Sequence, residues 1–116
     1  MTTTARLREA LALVEEATGA NFALEQKVGQ LLYDDPPFPV PPWSASRDAV
    51  TALIEREMPG HTRQIETTPS ICRATIWLPP EFEEMVAGRA DTEEALVLLA
   101  AYLKARIAEQ EKETVA

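Results

Sequence analysis

Ile71-Cys72-Arg73-Ala74-Thr75-Ile76-Trp77-Leu78 is the stretch on which the architecture turns. Cys72, Ala74, Ile76 and Leu78 alternate with Arg73, Thr75 and Trp77, the two-residue period of a strand with one apolar face. A shorter, poorer strand over 62–66 precedes it across Thr67-Thr68-Pro69-Ser70, so a β-hairpin is expected over about 61–78. Pro79-Pro80 stops the second strand, because proline has no N–H for a ladder. Residues 81–88 read equally well as a short helical turn or as a third strand.

Working outward, the period changes to that of helices. Leu7, Ala10, Leu11, Val14 and Ala17 predict a helix over about 5–17, and Thr18-Gly19 ends it. Asn21 is placed to cap a second helix over 22–33 with Leu24, Val28, Leu31 and Leu32 inward. Gly29 weakens that helix by about 1 kcal/mol relative to alanine, unless it serves a close helix contact. Ser46 or Ser44 starts a third helix over 47–58, closed by Pro59-Gly60. Asp91-Thr92-Glu93-Glu94 has the form of a capping box for a helix over 92–110. Leu96, Leu99, Leu103 and Ile107 form its ridge, and Val97 and Leu98 widen the stripe to that of a central helix or an oligomer contact. Residues 109–116 read as a polar tail that frays.

The segment 34–43, Asp34-Asp35-Pro36-Pro37-Phe38-Pro39-Val40-Pro41-Pro42-Trp43, holds five of the nine prolines. It can be neither helix nor central strand. It contains a P-x-x-P, but such ligands sit in exposed tails with flanking arginines. The reading adopted is a stiff strap with Phe38, Val40 and Trp43 dropped into the core. The whole is a single α+β domain over 1–116, a small antiparallel sheet flanked by helices. With four helices to place, a helix layer is expected over the Arg73–Trp77 face as well, making Trp77 core.

Composition narrows function more than it names it. Eleven Lys+Arg against nineteen Asp+Glu give −8, and the acidity gathers after residue 79, where 4 basic face 9 acidic residues. Direct binding to duplex nucleic acid needs clustered cations and is not expected. One cysteine and one histidine leave no disulfide framework and no multi-His or Cys-only metal centre within a chain. No apolar run approaches the ~18–20 residues of a membrane span, and the N-terminus lacks signal-peptide form. A cytoplasmic setting and no membrane partner are therefore expected.

The phosphate-loop, dinucleotide, zincin and nucleophile-elbow motifs are missing, so no catalytic residue, no metal and no cofactor is expected. His61 reads as a solvated loop side chain and Cys72 as a small buried hydrophobe. Paired carboxylates such as Glu83-Glu84 read as capping and solvation, since acid–base work needs two carboxyls across a cleft. Candidate binding residues fall into two groups. Trp43, Ser44 and Arg47 surround a helix N-terminus, where N–H groups can meet a small anionic ligand. Arg73 and Trp77 share one sheet face, and both types are frequent interface anchors.

Trp43-Ser44-Ala45-Ser46-Arg47-Asp48-Ala49-Val50 resembles the aromatic-Thr-x-Ser-x-Asp-Ala-Ala segment of small phage and prophage proteins of the phage ABA sandwich domain type. Residues 92–105 look like their closing helix, and Leu13-Val14-Glu15-Glu16-Ala17-Thr18-Gly19 with Leu24-Glu25 is similar to their helix–Gly–helix entry. The resemblance covers about 7–107; Glu93 stands where the family usually has Pro, and Leu98 where it has Cys. It implies helices on both sides of a small antiparallel sheet, no assigned activity, and a phage or prophage setting. There, small acidic proteins act as inhibitors or sequestering agents against host proteins. The expected function is thus a non-enzymatic interaction protein that binds a host protein in the host cytoplasm. The alternative is a homo-oligomer that binds a small anionic ligand or nucleotide through Trp43, Ser44, Arg47, Arg73 and Trp77.

Overall fold

The computed structural model describes residues 3–37, 39–68, 71–78, 83–89 and 94–115. The elements run α1 (Thr4–Glu16), α2 (Phe22–Leu32), α3 (Arg47–Glu57), β1 (Thr62–Thr67), β2 (Cys72–Leu78), β3 (Glu83–Arg89) and α4 (Glu94–Val115). The fold is α+β; among the described residues it is an open three-stranded antiparallel meander in the order β1-β2-β3 with four helices. The hairpin has Thr67 opposite Cys72 and Thr62 opposite Trp77. Of the stretch 81–88, ambiguous in sequence, the described residues 83–88 fall in β3, with Val86 opposite Thr75, and 81 and 82 lie outside the described residues.

Helix starts follow their caps. Thr3, Asn21 and Ser46 side chains accept from the N–H groups of Arg6, Leu24 and Ala49, each three residues on. The box at Asp91–Glu93, the strand stop at Pro79-Pro80 and the side chain of Phe38 lie outside the described residues. Gly60 closes α3 at φ 85°, a left-handed conformation that glycine adopts without a Cβ clash.

α4 is the centre of the molecule. Every residue from Ala95 to Leu103 is buried, as is Ala105. A helix apolar all round has no solvent face, and α4 touches the strands on one side and α1 and α3 on others. It also outlasts the expected fray point. Helix continues to Val115, because Thr4 and Arg8 of α1 hold Gln110 and Glu111 by side-chain hydrogen bonds.

The strap lies over α2. Trp43 is buried and its ring stacks on Tyr33 at 6.5 Å. The Cα of Gly29 faces Pro36, Val40 and Trp43, so the close approach it permits is to the strap and not to a helix.

One expectation is corrected. Helices were to cover both faces of the sheet, as the resemblance also implied. Among the described residues, α4 is the only helix whose backbone packs close on the strands, against the Cys72–Ala74–Ile76 face, and α3 reaches β1 by side chains at its edge. α1 and α3 pack on α4 instead, because its apolar surface is wide enough to take them. Among the described residues no helix lies over the opposite sheet face, and Trp77 is half-buried rather than core.

Candidate functional site

The bare face is built by strand phase. On β2 the side chains of Cys72, Ala74 and Ile76 are buried under α4, so those of Arg73, Thr75 and Trp77 stand on the other side. The register sets Trp77 between Thr62 and Glu84, Thr75 between Gln64 and Val86, and Arg73 between Glu66 and Gly88. Val86 is 40% exposed, one of the few large apolar side chains so placed. An aromatic, an aliphatic and a guanidinium are thus framed by hydroxyls, an amide and carboxylates on one small sheet. That mixture, apolar centre and polar rim, is what protein interfaces present.

The five sequence candidates separate into three places. Arg73 and Trp77 are together on the open face. Trp43 and Ser44 are buried, 1% and 0% exposed. The Ser44 hydroxyl donates to Glu25 Oε2 at 2.5 Å and accepts from Asn21 N–H at 2.8 Å, while the Ser44 N–H donates to the same carboxylate at 3.0 Å. Glu25, itself buried, therefore clasps the strap to α2. Sequence reading missed it because its partner is 19 residues away.

Arg47 is exposed but engaged. Its Nη1 donates to Glu94 Oε2 at 2.8 Å, and Thr67 Oγ1 donates to Glu94 Oε1 at 3.1 Å. The Arg47 guanidinium, with Thr67 helping, holds the Glu94 carboxyl below the usual carboxylate range. Arg47 also borders a groove of about 240 Å³ between α3 and β1, lined with Asp48, Thr51, Arg63, Gln64, Ile65 and Leu98.

Elsewhere the titratable groups are tied into the frame. His61 is not solvated as expected: its side chain is 8% exposed, with Nδ1 3.1 Å from the Met58 carbonyl and Nε2 3.4 Å from Glu109 Oε2. The long α4 carries Glu109 to it, which local sequence does not reveal. Tyr33 donates to Glu57 at 3.0 Å and accepts from Arg56 at 2.5 Å. Burial first, then Glu57, pushes its phenol up. Tyr102 accepts from Arg106 at 2.6 Å, and burial pushes its phenol well above 10. Cys72 is buried, as its strand phase requires. Among the described residues no three His, Cys, Asp or Glu side chains gather as a metal site, and no helix is long and apolar enough to cross a membrane. Set against known proteins, the chain matches no family model, no curated protein and no solved structure.

Proposed function

We propose that the chain is a non-enzymatic, acidic interaction module that docks a protein partner on the open face of its sheet. The observation that carries this reading is the uncovered Trp77–Thr75–Arg73 row with exposed Val86 beside it. Tryptophan and arginine supply most of the energy where they anchor interfaces. The charge of −8 favours a basic partner and speeds encounter with it at low salt. In the phage setting that the resemblance implies, the partner would be a host protein masked by this surface.

A small-ligand oligomer is the weaker reading. It needs Trp43, Ser44, Arg47, Arg73 and Trp77 together, and Trp43 and Ser44 are consumed inside the molecule by Tyr33 and Glu25.

A photo-reactive residue at Thr75 tests the proposal, with one at exposed Ala12 on the far side of α1 as control. A discrete cross-linked protein at Thr75, absent at Ala12 and lost with Trp77→Ala, is the expected outcome. Equal labelling at both positions removes the reading.

A further inference from the structure

The two edges of the sheet are treated differently. Strand edges expose unpaired N–H and C=O groups, and proteins commonly block them, lysine being a frequent device. Which groups point outward follows from the hairpin. Thr68 N–H donates to Ile71 O at 2.8 Å, so 68 and 71 form a hydrogen-bonded pair. Alternation along the antiparallel ladder then makes Glu66–Arg73, Gln64–Thr75 and Thr62–Trp77 the bonded pairs of β1 and β2. The backbone groups of Arg63, Ile65 and Thr67 are left facing out. The same alternation turns β2 toward β3 at 72, 74 and 76, which leaves Val86 facing out from β3. There Lys104 Nζ donates to the Val86 carbonyl at 3.1 Å, which agrees with the phase and occupies the middle of that edge.

β1 has no such stopper. Among the described residues, nothing bonds to the outward backbone groups of Arg63, Ile65 and Thr67. α3 runs antiparallel beside this edge, joined to it at one end by Arg63–Glu55 at 2.7 Å and at the other by Arg47 and Thr67 on Glu94. Between those ties no Cα of α3 comes within 8 Å of one in β1. An added strand would lie about 4.8 Å from β1.

The geometry points to this edge as a strand-addition site for an extended, basic segment of a protein partner, an assignment that rests on the interaction reading above. A partner residue opposite Ile65 sits on the α4 side of the sheet and meets Ile65 and Leu98, which calls for an apolar side chain. Its immediate neighbours fall on the open face beside Gln64 and Glu66. The charge that the groove asks for is positive. Around this edge four carboxylates, Asp48, Glu55, Glu66 and Glu94, meet two guanidiniums, Arg47 and Arg63, and Glu66 stands on the open face where the alternate partner residues fall. Alternating apolar and basic residues satisfy both faces at once.

The test uses the whole chain, ¹⁵N-labelled, and two synthetic octapeptides of equal composition. One alternates lysine with valine; the other is four lysines followed by four valines. The alternating peptide should slow amide exchange at Arg63, Ile65 and Thr67 by about tenfold near saturation, with Thr62, Gln64 and Glu66 unchanged. Ile65→Pro should abolish this, since it deletes an outward N–H and leaves the β1–β2 bonds intact. Glu66→Gln, an exposed change on the open face where the lysines fall, should weaken the alternating peptide several-fold. Equal effects of the two peptides, protection without alternation, or indifference to Ile65→Pro overturns the assignment. Alternating protection that grows with protein concentration in the absence of peptide overturns it in favour of a second copy. Failure here with Thr75 cross-links intact leaves the open-face reading standing, and loss of those cross-links alone removes only that reading.

Discussion

At Ser44 one hydroxyl has two ties, a donated bond to a buried carboxylate and an accepted one from a helix-capping residue's N–H. Ser44→Ala deletes both and leaves Glu25 with the backbone N–H alone. The expected loss is about 1–3 kcal/mol in urea unfolding, because a buried acceptor stripped of a partner keeps its desolvation cost. Tyr102 acts on the pH axis. Its folded phenol is held far above the ordinary value of 10, chiefly by burial. That contribution is fully present below about pH 10 and is lost as pH rises beyond it, since only the unfolded chain then releases the proton easily. Tyr102→Phe should flatten the alkaline fall of stability, read from urea midpoints between about pH 8 and 11. An unchanged slope would mean that another group governs that limb. Neither role is visible locally: Ser44 reads as a helix-start hydroxyl and Tyr102 as one more apolar position, because their partners arrive through tertiary folding.

Among the elements, α2 offers a gain. A Cβ built on Gly29 would meet Pro36, Trp43 and Val40 at 3.6–3.7 Å, ordinary van der Waals contact. Gly29→Ala should therefore stabilise the chain by about 0.5–1 kcal/mol and raise Tm by a few degrees, as helix propensity is gained without a clash. The junction of α3, β1 and the start of α4 responds to acid. Glu94 is held below its ordinary range, first by the Arg47 hydrogen bond. Its contribution is present above that range and disappears as pH falls through the lowered value. Glu94→Gln should make the acid limb shallower while costing no more than about 1 kcal/mol at neutral pH, the pair being largely solvated. The helices were legible because caps and the 3.6-residue period act within one turn. β3 was not: Glu84-Met85-Val86-Ala87-Gly88 alternates weakly, and its pairing depends on β2 having an edge to offer.

For the whole molecule, burial converges on one helix. Amides of α4 between Leu96 and Leu103 should exchange only through global unfolding, and the outward amides of the two edge strands, 63, 65 and 67 on β1 and 84, 86 and 88 on β3, should exchange fastest within the sheet. Exchange of α4 ahead of the hairpin would contradict this layering. The sequence showed that the 72–78 segment has two faces but not that one stays bare, since Arg73-Thr75-Trp77 suits a covered rim as well as an open surface. That choice was made by α4, whose breadth draws α1 and α3 onto itself. Its place in chain order has a consequence for biogenesis. The surface on which the sheet, α1 and α3 all settle leaves the ribosome after each of them, so nascent chains that stop before residue 94 hold layers with nothing between them. Tertiary closure must follow synthesis of this rod, and until then the apolar side chains of the earlier elements are exposed to chaperones.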